Sequence, residues 1–122
     1  MGSKILVVDD AKFSRNMIKK ALKNGGYEDI IEAASAAEAL EAFKSGSPDL
    51  VMLDITLPDR NDLSLLQELL QIRPDARIIM VSALGQDLII ADALKIGARD
   101  FITKPFVEQD MLAVVMSVLF DE

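Results

Sequence analysis

Ile5-Leu6-Val7-Val8-Asp9-Asp10 sets a short, mostly β-branched apolar run directly against two carboxylates. The run has no polar alternation, so it reads as a strand buried on both faces, as in a parallel sheet. The same arrangement returns along the chain. Leu50-Val51-Met52-Leu53 runs into Asp54, Ile78-Ile79-Met80-Val81 into Ser82, and Phe101-Ile102-Thr103 into Lys104-Pro105. In an open α/β sheet, ligands gather beyond the carboxyl ends of the strands, where the strand order reverses. Three acids, a hydroxyl and an amine are therefore expected in one crevice.

Between these runs lie helical stretches. The first strand is expected at about 4–9 and a helix at about 11–24, with Phe13, Met17, Ile18, Ala21 and Leu22 at helical spacing. Gly25-Gly26 ends that helix. A second strand follows at 29–33, and a helix at 36–44 is closed by Ser45-Gly46-Ser47-Pro48. The third strand is expected at 49–53, and Leu63, Leu66, Leu69 and Leu70 mark a third helix that stops at Arg73-Pro74. The fourth strand (77–81), fourth helix (86–96), fifth strand (99–103) and fifth helix (108–120) complete the pattern. Connections this short cross over right-handedly. The fold class read from the residues is α/β, a (βα)5 three-layer sandwich forming one domain over 1–122 with no output domain.

Composition narrows the function. The 122 residues carry a formal charge of −7, which argues against a nucleic-acid surface. With no cysteine and no histidine, the chain has no disulfide, no thiolate metal site, no Ser-His triad and no phosphohistidine of its own. No apolar run approaches the roughly 20 residues of a membrane span, and no signal peptide precedes the first strand. A soluble cytoplasmic domain without a membrane partner is the expectation.

Asp9 and Asp10 suit a hard cation such as magnesium, which needs oxygen ligands but keeps several waters. Asp54 adds a third carboxylate. A carboxylate beside a divalent cation can attack phosphorus, because the metal screens the repulsion between two anions. Lys104 would neutralise charge on phosphoryl oxygens, and the Ser82 hydroxyl would donate to one of them. Taken singly, each residue reads as a helix cap or a solvated side chain. Their recurrence at the same end of successive strands is what carries the argument.

These residues, with the run Gly97-Ala98-Arg99-Asp100-Phe101-Ile102-Thr103-Lys104-Pro105-Phe106, resemble the receiver domain of two-component response regulators, most closely the stand-alone chemotaxis type. The resemblance covers the whole chain. It implies a flavodoxin-like parallel five-stranded sheet in the order 2-1-3-4-5. It also implies phosphorylation of Asp54 by a partner histidine kinase. Magnesium would be held by Asp9, Asp10, Asp54 and the backbone carbonyl of Thr56, with Asp10 favoured over Asp9 as a direct ligand. Ser82, Ala83 and Lys104 would contact the phosphoryl group. Ser82 and Phe101 would form a coupled switch, and Lys104-Pro105 a cis peptide. The chain catalyses its own phosphorylation and dephosphorylation in this reading and is otherwise not an enzyme. The stretches Asp10-Ala11-Lys12-Phe13-Ser14-Arg15 and Ser82-Ala83-Leu84-Gly85-Gln86 favour chemotaxis over a general phosphorelay shuttle.

One departure stands out. After Leu57-Pro58 the family shows an acid or amide followed by glycine, where this chain has Asn61-Asp62. Asp62 either adopts the glycine's conformation or caps the third helix through the N–H of Ser64 or Leu65.

The rival functions are a receiver-shaped docking or dimerisation module, a metal-dependent phosphohydrolase with an aspartyl intermediate, and a flavin-binding electron carrier. The hydrolase would want a second acid two residues after its nucleophile, where Asp54-Ile55-Thr56 has none. A flavin carrier of the same topology would want a hydroxyl-rich phosphate loop where Asp9-Asp10 stand.

The fifth helix has an apolar arc of Met111, Leu112, Val114, Val115, Met116, Val118, Leu119 and Phe120, wider than one buried stripe needs. Either Met116 and Phe120 fold back over a neighbouring helix, or they face a partner. The resemblance implies a target, or a second copy in a homodimer, at the face formed by helix four, strand five and helix five. Leu88, Ile89 and Ile90 are expected to point the same way.

Overall fold

The computed structural model describes residues 3–60 and 62–120. Strands and helices alternate as β1 (Lys4–Val8), α1 (Lys12–Asn24), β2 (Asp29–Ala33), α2 (Ala36–Gly46), β3 (Leu50–Asp54), α3 (Ser64–Ile72), β4 (Ile78–Ser82), α4 (Asp87–Ile96), β5 (Asp100–Thr103) and α5 (Glu108–Leu119). All strand pairs are parallel, in the order β2-β1-β3-β4-β5. This is the flavodoxin-like (βα)5 sandwich expected. No helix among the described residues is long and apolar enough to cross a membrane.

Side chains alternate across a strand, so each central strand feeds two cores. Ile5, Val7, Leu50, Met52, Ile79 and Val81 pack with Ile18 and Leu22 of α1 and Met111 and Val115 of α5. Leu6, Val8, Val51, Leu53, Ile78 and Met80 pack with Phe43 of α2, Leu66 and Leu69 of α3, and Ala93 of α4. Fully burying one such aliphatic side chain stabilises the fold by about 1.5–3 kcal/mol. These layers hold the strand ends in register, with Val8 beside Leu53, Asp54 beside Val81 and Ser82 beside Thr103.

Several expectations need correcting. α2 continues through Ser45 and Gly46, and its cap is Ser47 in the left-handed region at φ 43°. Pro48 disfavours a helical conformation at Ser47, so the break falls there and not at the glycine. Gly46 meets a different demand: a Cβ there would lie 2.8 Å from Ile31 Cδ1. On α4, Leu88, Ile89 and Ile90 do not share a face. Leu88 is 84% exposed, Ile90 is buried, and Ile89 packs against the α2–α4 core. Consecutive helical residues are about 100° apart, so three in a row cannot point together. On α5, Met111, Val115, Val118 and Leu119 are buried, whereas Met116 and Phe120 stand in solvent at 57% and 66% exposure. The fold-back over a neighbouring helix is not adopted.

Candidate functional site

The five expected positions converge at the carboxyl edge of the sheet. Asp9 follows β1, whose pairing with β2 extends through the Asp9 N–H to the Ala33 carbonyl at 3.0 Å. Asp54 ends β3, Ser82 ends β4, and Lys104 follows β5. The Lys104 N–H donates to the Ser82 carbonyl at 2.7 Å, which sets the lysine against β4. The Lys104-Pro105 peptide is cis, as expected. A crevice of about 330 Å3 is lined by Asp9, Asp10, Ala11, Asp54, Thr56, Leu57, Pro58, Ala83, Gln86 and Lys104.

Asp9, Asp10 and Asp54 each offer a carboxylate oxygen, and these atoms all lie within 4.8 Å of one another. Three hard oxygen donors that close match the chemistry of magnesium or calcium, and not of a thiolate- or imidazole-seeking metal. Asp9 is 1% exposed and already engaged. It accepts from Lys104 Nζ at 2.8 Å and from the Ala11 N–H at 2.9 Å. Asp10 faces the solvent. Lys104 Nζ reaches Asp54 Oδ2 at 3.3 Å, and Asp54 Oδ1 accepts the Thr56 N–H at 3.0 Å.

Burial is the largest influence on the Asp54 carboxyl and pushes its pKa up, with the Asp9 charge adding to it. The Thr56 N–H and the Lys104 charge offset this only partly. Burial also opposes ionisation of Asp9. There it is outweighed by hydrogen bonds from Lys104, Ser14 and Ala11, which hold the carboxyl below its usual range. Burial works against the Lys104 ammonium too, but the two aspartates overcome it and hold its pKa up. Neighbouring carboxylates are thus pushed in opposite directions, as occurs at functional sites and also in structural ion-pair networks.

Two expected residues stand apart from the crevice wall. Ser82 is 3% exposed and lies beneath the surface. Phe101, at 40% exposure, lines a separate recess with Pro105, Phe106 and Met111, on the outer side of β5. Asn61 lies outside the described residues. Asp62 accepts the Ser64 N–H at 3.0 Å and its hydroxyl at 2.6 Å, closing the turn before α3, whose N-cap is Leu63 without a side-chain cap.

Other residues act at the site without a sequence signal that singled them out. Arg15 Nη1 donates to the Asp9 carbonyl at 2.7 Å, while its Nε pairs with Glu32 at 3.0 Å. Gln86 Oε1 accepts the Ala83 N–H at 2.7 Å and shapes the loop after β4.

Residues 5–116 match the response regulator receiver domain. The chain belongs to that family and is a receiver of phosphorelay signalling. It is 46% identical over 119 residues to the chemotaxis protein CheY of Bacillus subtilis (strain 168), spanning 98% of this chain and 99% of that one. It is also 41% identical over 117 residues to protein CcdB of the same organism, spanning 96% and 98% of the two chains. Among solved structures, the receiver domain of NtrX from Brucella abortus matches with a TM-score of 0.92 and 34% identity, over 98% of this chain and 100% of that one. Neither the phosphohydrolase nor the docking-only alternative finds support in these comparisons.

Proposed function

We propose that Asp54 is the phosphoryl acceptor, that it receives its phosphoryl group from a phosphohistidine of a partner kinase, and that the acylphosphate alters binding to a downstream target. The convergence of Asp9, Asp10, Asp54 and Lys104 in one crevice carries this reading. An Asp54 carboxylate oxygen attacks phosphorus. The P–N bond to the donor imidazole breaks, and the imidazole keeps the electron pair and takes a proton from water. In hydrolysis, water attacks phosphorus, the Asp54 carboxylate leaves with the electron pair, and inorganic phosphate departs. The chain thus supplies the catalysis for its own phosphorylation and dephosphorylation.

Asp10, Asp9, Asp54 and the Thr56 carbonyl are the residues that would hold magnesium. When bound, that ion screens the repulsion between the anions and neutralises phosphoryl charge. Lys104, 3.3 Å from Asp54, is within reach to turn a proton toward a phosphoryl oxygen. Ala83 would donate its N–H in place of its bond to Gln86, and Ser82 its hydroxyl once drawn inward to the phosphoryl group. Phe101 would then turn from its half-exposed position into the space vacated. The changed face of α4, β5 and α5, with Leu88, Met116 and Phe120 exposed, would meet the target or a second copy of the chain. The likeness to CheY favours chemotaxis and a cytoplasmic setting.

Mass spectrometry after acetyl phosphate and magnesium tests the acceptor. The parent should gain one phosphoryl mass and Asp54→Asn none, because the amide is isosteric but a poor nucleophile. Equal labelling of both would move the acceptor to Asp9 or Asp10.

A further inference from the structure

The N–H groups of Ala36, Ala37 and Glu38 open α2 and have no partner within it. A local device serves one end of this turn. The Glu38 N–H donates to Ser35 Oγ at 3.1 Å, and Glu38 Oε1 accepts the Ala34 N–H at 2.9 Å. Ser35 thus caps the helix as in a capping box, while Glu38 reaches one residue further back than the N-cap, to Ala34. Yet α2 has a second cap from far along the chain. The Ala36 N–H donates to Asp59 Oδ1 at 2.8 Å and the Ala37 N–H to Asp59 Oδ2 at 3.1 Å.

Asp59 lies on the loop that leaves β3 just beyond Asp54. That loop is held in the core by Ile55 and Leu57, both buried, and Thr56, Leu57 and Pro58 line the crevice. Pro58 and Asp59 themselves are exposed. The Leu57 N–H donates to the Arg60 carbonyl at 3.1 Å, closing the loop around Asp59, and Arg60 pairs with Glu68 on α3 at 2.6 Å. The loop is therefore tied to α3 by Arg60 and to α2 by Asp59.

We propose that Asp59 is a positioning residue for phosphoryl transfer at Asp54: its tether to α2 fixes the backbone of Thr56 and Leu57 at the rim of the crevice. The proposal rests on Asp54 being the acceptor. By reciprocity, occupancy of the crevice must be felt at the first turn of α2.

The test compares the parent with Asp59→Ala, Asp59→Asn and Ser35→Ala. Phosphorylation by acetyl phosphate with magnesium is followed by mass, as is decay after the donor is removed. Asp59→Ala should slow both rates by about threefold or more, since small misplacement of positioning groups costs rate steeply. Asp59→Asn keeps one carbonyl oxygen for an N–H and should fall between. Ser35→Ala removes the local cap of the same helix and should lower the melting temperature while keeping the parental rates. Rates for Asp59→Ala within roughly twofold of the parent would overturn the proposal alone. So would a Ser35→Ala defect as large as that of Asp59→Ala, which would mean only that α2 had loosened. A parent that takes up no phosphate would remove the acceptor assignment and this proposal together.

Discussion

Lys104 occupies the charge balance of the crevice in a way that a metal ion would disturb. Its ammonium, with a side chain 28% exposed, stands 2.8 Å from Asp9 and 3.3 Å from Asp54. Replacing it by Met leaves the buried Asp9 without its cation, at a cost below the roughly 3–5 kcal/mol of a fully buried pair because the lysine stands partly in water. Lys104→Met should accordingly melt lower than the parent without magnesium. Magnesium should recover more stability in the variant than in the parent, through the usual linkage of binding to folding. Thermal melts with and without millimolar magnesium measure both, and equal increments in the two proteins would contradict the shared-charge picture. At this scale the sequence was legible wherever chemistry follows a strand directly, as at Asp9, Asp54 and Lys104. The support around them was not. Ser14 and Arg15 hold Asp9 only because α1 turns back over β1, and Glu32 meets Arg15 only because β2 lies beside β1.

In the proposed function the elements would carry a signal from one end of the sheet to the face of α4 and α5. Ser82 ends β4 beside Thr103 of β5, so a change at Ser82 lies next to the strand that bears Phe101. Ser82→Ala should still label at Asp54 but lose most of the phosphorylation-dependent change on that face. Amide exchange at 88–94 and 111–118, with beryllofluoride as the phosphoryl mimic, would report it. A full response in the alanine variant would sever the coupling. The differential affinity of the phosphoryl group for the two Ser82 positions is what must drive any shift. Element boundaries were readable to within a residue or two, because Gly, Pro and strand-end acids punctuate the chain. α2 lies at the edge of that margin, running two residues past Lys44 to Gly46, with the Ser45 hydroxyl bonded back to the Glu41 carbonyl at 2.9 Å. The outward course of Met116 and Phe120 was not legible, since periodicity shows an apolar arc but not what covers it.

Taken whole, the molecule stores electrostatic cost at its site, and pH should expose it. Asp9 has a lowered pKa, so it contributes stability above its unfolded value of 3.8, lost as pH falls through the folded value. Lys104 has a raised pKa, so its contribution is full below 10.5 and is lost as pH rises through its folded value. Asp54 runs the other way. Its raised pKa means that ionisation works against the fold, and the loss is regained as pH falls toward 3.8. Without magnesium, Asp54→Asn should therefore be more stable than the parent at neutral pH, with the difference closing on acidification. Urea melts at several pH values would check this, and a gap independent of pH would argue against it. The ion pair between Asp9 and Lys104 joins residues 95 apart in sequence, and the crevice draws a residue from nearly every strand between them. A ribosome building this protein therefore delivers Asp9, Asp10 and Asp54 long before their lysine. A nascent chain halted before β5 carries the three carboxylates without the amine that balances them in the finished crevice.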